Sequence, residues 1–165
     1  MNDYPNLLSP VIVKEMPEIR VACIIHKGSY SDTGKYFSEY LPILFEWAGK
    51  NGYLNYDTTK VLTVFRDDPA VTDESELRTC YGISVPDKAI TEGRIEELVI
   101  PQGTYACGSF NLKEDEFSGA LDYLYKVWFP SGNYVPDISM RYNIYPKQPV
   151  DGRMKVEIYI PVKVK

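Results

Sequence analysis

The side chains of this chain that can carry chemistry are carboxylates and tyrosines rather than imidazoles or paired thiols. In 165 residues there is one histidine, His26, and three scattered cysteines, Cys23, Cys80 and Cys107. No CxxC pair and no HExxH segment occurs, so the spacing supports no zinc site, and no metal or cofactor is expected. A Ser-His-Asp triad would have to use His26, and no GxSxG accompanies it. His26 ends an apolar run just before the loop Gly28–Gly34 and has no acidic neighbour, which suits a structural or surface role. Asp67 and Asp68, followed by Pro69, read as a turn rather than a ligand pair. The cysteines read as small buried hydrophobes. The unusual abundance is tyrosine: 14, against six phenylalanines and two tryptophans.

The carboxylate that stands out is Glu157, in the run Val156–Val162. By strand alternation Val156, Ile158 and Ile160 share one face, and Glu157 and Tyr159 share the other. With the apolar set facing helices, Glu157 and Tyr159 point to an open face. There a carboxylate takes a cation, or works as acid or base once its environment moves its pKa. The plain alternative is a solvated strand glutamate. Asn143 and Tyr145 share one parity and are expected on the open face too, where they would orient a polar ligand. Trp47 and Trp128 near two helix ends suit packing first. Phe65 and Phe110 are candidates to flank a groove, although parity does not decide their face.

These positions need strands and helices to hold them. Periodicity predicts strands at Val11–Glu15, Glu18–His26, Val61–Arg66, Arg78–Val85, Ile95–Ile100, Tyr105–Phe110, Ser139–Tyr145 and Lys155–Val164. A helix is expected over Thr33–Lys50, with Phe37, Tyr40, Leu41, Leu44, Phe45 and Ala48 on one stripe. Asp32 or Thr33 would cap it and Gly52 would stop it. Pro42 conflicts with that helix and predicts a kink near Ser38–Pro42, or a start near Leu41. A second helix is expected over Glu114–Trp128, with its acidic first turn complementing the helix dipole and Pro130 and Gly132 ending it.

The order two strands, helix, two strands occurs twice, over about 11–86 and 94–164. At an offset of 80, Phe37, Ser38, Leu41, Leu44 and Gly52 meet identical residues, five of 16 ungapped positions. Cys23 meets Cys107 at an offset of 84 and Pro86 meets Pro161 at 75. We read an internal duplication within one domain spanning residues 1–165. The expected fold is α+β: a tandem pair of β-α-β-β units forming a curved, mostly antiparallel sheet. Two helices lie on one face, and a groove lies at the pseudo-two-fold seam.

Composition narrows the function. A formal charge of −5 without a Lys/Arg run argues against direct nucleic-acid binding. No apolar run reaches the ~18 residues of a membrane span. The N-terminus has no basic-then-apolar leader. Odd cysteines without a leader point to the cytoplasm.

Val64–Pro86, Ile100–Phe110, Ala120–Asn133 and Val156–Lys163 together resemble the GyrI-like small-molecule-binding domain. This is the effector-binding domain of AraC-type and MerR-type regulators. The carriers are Asp67-Asp68-Pro69 followed by Leu77-Arg78, the turn Gly103–Ala106, and the closing strand with Pro161. The resemblance implies a fused pair of β-α-β-β units that binds hydrophobic, often cationic, compounds. It also implies an acid two positions before Tyr145, with a proline at Pro149. Here the acid's place is Asn143, and Glu157 in the adjacent strand is the available substitute. Trp128 stands where relatives carry a tryptophan near the groove mouth.

The chain is expected to stand alone, since the ten residues before Val11 cannot hold a helix-turn-helix and nothing follows Lys165. The leading function is binding of a small hydrophobic or aromatic molecule, as a sensor or sequestering protein. Its expected ligand-binding residues are Glu157, Tyr145, Asn143, Tyr159, Trp128, Phe65 and Phe110. One alternative is a hydrolase of cyclopropane-type electrophilic toxins with Glu157 as the catalytic acid or base. Another is a protein-interaction module resembling a gyrase inhibitor, with a protein partner.

Overall fold

The computed structural model describes residues 4–137 and 140–165, without the side chains of Asp32 and Thr33. The two expected helix caps, and Ser139 at the expected start of a strand, therefore lie outside the described residues. The strands are β1 (Ile12–Met16), β2 (Ile19–Lys27), β3 (Val61–Phe65), β4 (Arg78–Ser84) and β5 (Glu96–Ile100). They continue as β6 (Gly103–Lys113), β7 (Tyr134–Pro136), β8 (Arg141–Tyr145) and β9 (Arg153–Val164). Helix α1 spans Thr33–Lys50 and α2 spans Phe117–Tyr123. A π-helical stretch, Leu124–Trp128, and a last turn, Phe129–Ser131, extend α2.

The chain forms two compact units. One is Pro17–Gln102; the other is Gly103–Lys165 together with the N-terminal segment through Met16. In the first, antiparallel pairing gives the order β3-β4-β2-β5. In the second it gives β8-β9-β6-β1, with β7 on the far end of β9. The two orders are the same. They divide the chain elsewhere than the sequence repeat does, because the opening strand of each repeat joins the other repeat's unit. The links explain this. Met16-Pro17-Glu18 and Ile100-Pro101-Gln102 contain no residue suited to positive φ, so neither can close a two-residue hairpin. The strand before each proline is released to pair elsewhere.

Registers give the equivalences between units. Cys23 pairs with Gly82 and Cys107 with Tyr159, while Leu62 pairs with Gly82 and Tyr142 with Tyr159. With Cys23 matched to Cys107, Gly82 corresponds to Tyr159 and Leu62 to Tyr142. Ser84, not Pro86, corresponds to Pro161, since Val21 pairs with Ser84 and Tyr105 with Pro161. The expected Pro86–Pro161 match is off by two residues.

In the first unit Ala22, Ile24, Tyr81 and Ile83 pack against Tyr40, Leu44, Trp47 and Ala48 of α1. Phe45, expected in the stripe, is 37% exposed, and Trp47 is buried instead. The buried set 40-44-47-48 is the true helical face, with Phe45 on its flank. Helix α1 runs without a break across Pro42, so it does not start at Leu41. Pro42 and Ser38 both face solvent, where water can satisfy the carbonyl that the missing N–H leaves free. Gly52 follows the helix at φ +73°, as a left-handed stop requires. In the second unit a Cβ on Gly108 would lie 3.1 Å from Phe110 Cζ and 3.4 Å from Leu124 Cδ2. The glycine lets the helix approach β6, and it fixes Gly108 and Phe110 on the helix side.

Candidate functional site

Alternation and register place Lys14 of β1, Tyr105 and Cys107 of β6, Tyr142 and Ile144 of β8, and Glu157 and Tyr159 of β9 on the face away from the helix. Lys14 is opposite Tyr105, Cys107 opposite Tyr159, Tyr142 opposite Tyr159, and Ile144 opposite Glu157. Three tyrosine rings meet there. Tyr142 and Tyr159 stack at 5.0 Å between centroids, and Tyr105 sets its edge to Tyr142 at 5.3 Å and to Tyr159 at 6.5 Å. Such offset and T-shaped pairs are the favoured arrangements of aromatic quadrupoles.

Polar groups edge this cluster. The Tyr159 hydroxyl donates to Glu157 Oε1 at 2.8 Å. The Lys14 ammonium stands 5.5 Å from the centre of the Tyr159 ring. The three rings are buried, whereas Glu157 is half-buried and Lys14 is exposed. Burial raises the Tyr159 hydroxyl pKa well above that of a free phenol, with Cys107 and Glu157 adding to it. Burial likewise raises Tyr142, helped by Tyr105. Both hydroxyls are therefore protonated at neutral pH, and Tyr159 serves as a donor. The Tyr142 hydroxyl is buried and finds no partner among the described residues. Leaving a buried hydroxyl unpaired costs about 1–3 kcal/mol, so the fold tolerates it rather than profits from it.

The first unit shows what the fold itself needs at these positions. Tyr105, Tyr142, Glu157 and Tyr159 correspond to Val21, Leu62, Cys80 and Gly82, and Lys14 corresponds to Leu98. The same architecture thus stands with small or aliphatic residues throughout. At Gly82 a Cβ would lie 2.9 Å from the Ala22 carbonyl oxygen and closer still to Val21, so no tyrosine fits there. At these five matched positions the aromatic, acidic and basic side chains belong to the second unit, although the first unit has Glu96 and Arg66 close to Cys23 and Cys80.

Of the residues expected from sequence, the structure brings Glu157 and Tyr159 together on this face. Asn143 and Tyr145 do not join them. Asn143 pairs with Ile158, an apolar-face residue, so the expectation that this pair shares the open face is corrected: one residue of register sends them to the helix side. They are buried there, with Asn143 Nδ2 donating to the Tyr145 hydroxyl at 3.3 Å and Asn143 Oδ1 finding no partner among the described residues. Phe110 is buried on the helix side, with Tyr4 edge-on at 5.9 Å. Phe65 belongs to the first unit and meets Tyr30 edge-on at 5.0 Å. Trp128 ends the π-helical stretch, with its ring against Phe129 at 5.0 Å. Tyr105, Tyr142 and Lys14 escape the sequence reading. Tyr142 could have been found by giving β8 the opposite parity, and Lys14 only by knowing that β1 pairs with β6. Among the described residues no three His, Cys, Asp or Glu side chains converge as metal ligands, and no helix is long and apolar enough to cross a membrane.

Asp67 and Asp68 are part of a turn, as expected. The Asp67 carboxylate accepts from Arg78 Nε at 3.0 Å, Nη2 at 2.9 Å and the Arg78 backbone N–H at 2.8 Å. Hydrogen bonding from Arg78 holds Asp67 below the usual carboxylate range.

Comparison with known proteins agrees with this architecture. No curated protein matches the chain in sequence. The crystal structure of the EcmrR C-terminal domain is 20% identical, with a TM-score of 0.75 over 96% of this chain and 100% of that one. Against EcmrR in its complex with DNA the TM-score is 0.77 at 21% identity; 94% of this chain is covered, but only 58% of that chain. SAV2435 bound to tetraphenylphosphonium gives 0.61 at 10% identity, over 94% of both chains. A hydrolase encoded by lin2189 from Listeria innocua gives 0.55 at 14%, over 97% of this chain and 94% of that one. Identities this low establish the fold alone. The model of the GyrI-like small-molecule-binding domain matches residues 9–163. With nearly its whole length matched and its units built as that resemblance implied, the chain belongs to the GyrI-like small-molecule-binding domain family.

Proposed function

We propose that this chain is a binding module for a small hydrophobic or aromatic molecule, which it senses or sequesters on the tyrosine face of its second unit. The observation that carries this is the asymmetry between units. Tyr105, Tyr142, Tyr159 and Glu157 replace Val21, Leu62, Gly82 and Cys80 at positions the fold does not reserve for them. Aromatic faces beside a carboxylate attract a desolvated cation through ring quadrupole and charge. Because the rings are buried against one another, a ligand enters by parting them, and its affinity is reduced by the rarity of the open form. SAV2435, which shares the fold, is seen with a lipophilic cation. Three buried unpaired cysteines suit a reducing compartment.

Titration calorimetry with tetraphenylphosphonium tests this. Saturable binding is expected, with Glu157→Gln weakening it by about tenfold, the scale of a charged contact. Tyr142→Leu, which installs the residue of the sister unit, is expected to weaken it by about three- to tenfold. Absence of binding by both this cation and neutral aromatic compounds overturns the proposal.

A carboxylate beside aromatic rings, together with a fold shared with a hydrolase from Listeria innocua, supports a second reading, hydrolysis of a cyclopropane-type electrophile. In it Glu157 directs water and the tyrosine rings stabilise developing positive charge. Glu157→Gln is expected to abolish turnover of such a substrate; turnover that survives the substitution excludes this mechanism.

A further inference from the structure

We infer that Lys14 is a resident cation that determines which ligands the tyrosine face admits, an inference that rests on the binding reading above. Lys14 sits on β1, opposite Tyr105, and its ammonium stands 5.5 Å over the Tyr159 ring. Tyr159 is 2% exposed while Lys14 is exposed, so the lysine lies at the solvent edge of the aromatic cluster. Its charge lies over the ring at that edge. A positively charged ligand seeks that same ring and Glu157. It must displace the ammonium or accept a like charge beside it. A neutral aromatic ligand meets neither obstacle. The fold does not require a lysine here, since Leu98 holds the corresponding place on β5. The lysine therefore tunes the site toward neutral or weakly charged guests, and a cation binds at a handicap.

The test is to titrate wild type, Lys14→Leu and Lys14→Arg with tetraphenylphosphonium and with triphenylphosphine oxide, a neutral probe of related shape. Leucine is the sister unit's own residue, so Lys14→Leu preserves the fold. Removing an exposed cation–π partner is expected to tighten tetraphenylphosphonium binding by about three- to fivefold. Triphenylphosphine oxide is expected to change by less than about twofold, and Lys14→Arg to match wild type. An unchanged or weakened affinity of Lys14→Leu for the cation overturns the inference. So does an equal gain for both probes, which would make Lys14 a steric cover only. Saturable binding by neither probe to any of the three proteins overturns the binding reading, and this inference with it.

Discussion

At the scale of single residues, the informative side chains are those whose chemistry exceeds what their position needs. Tyr142 is the clearest. Its ring packs fully, yet its hydroxyl is buried with no partner among the described residues, where Leu62 serves in the sister unit. Asp67 is the opposite case, a carboxylate whose role is structural. It accepts three hydrogen bonds from Arg78, and these depress its pKa. A depressed carboxylate contributes stability above its ordinary pKa near 4, and loses it as pH falls through the folded value. Asp67→Asn is therefore expected to cost about 1–2 kcal/mol at pH 7. The gap to wild type should begin to narrow below about pH 4 and close only as pH falls through the depressed folded pKa, below which both side chains are neutral. Urea unfolding at pH 7 and well below about pH 4 measures this; an equal gap at both would mean that the carboxylate charge contributes nothing. The sequence shows the Asp67–Arg78 pair only as a motif around a turn. That the arginine returns to the aspartate depends on β3 and β4 pairing.

At the scale of elements, period and punctuation predict most segments, because both are local. Helix α1 has its expected bounds, Thr33–Lys50, despite Pro42. Propensity alone argues against that helix, but burial of Tyr40, Leu44, Trp47 and Ala48 outweighs one missing hydrogen bond on the solvent side. The short strand β7 and the π-helical stretch after α2 have no signal in the pattern. Strand β1 shows how an element gains its role from its partner. By sequence it opens the first repeat; by pairing it is the edge of the second unit and delivers Lys14. Truncation of the chain before Pro17 is expected to leave β6 as an unpaired edge. Amide protection over Gly103–Cys107 should fall in hydrogen exchange, and the melting temperature should drop by several degrees. Unchanged protection there would contradict the pairing.

At the scale of the whole molecule, the sequence determined the fold class, the duplication and a face carrying Glu157 and Tyr159. Helical stripes, strand alternation and the offsets of 80 and 84 are written into neighbouring residues. The paired prolines Pro17 and Pro101 even mark where each repeat hands its first strand away, at the same offset of 84 as Cys23 and Cys107. Only the tertiary structure decided which faces coincide. Alternation sorts residues within one strand but leaves the sign between strands undetermined, and a shift of one residue exchanges Tyr142 for Asn143 beside Tyr159. That sign is set by long-range hydrogen-bonded register, as is the placement of Lys14 over a ring 145 residues further along the chain. The candidate carboxylate was thus legible in the sequence, whereas its aromatic and cationic neighbours exist as a group only once the strands have paired.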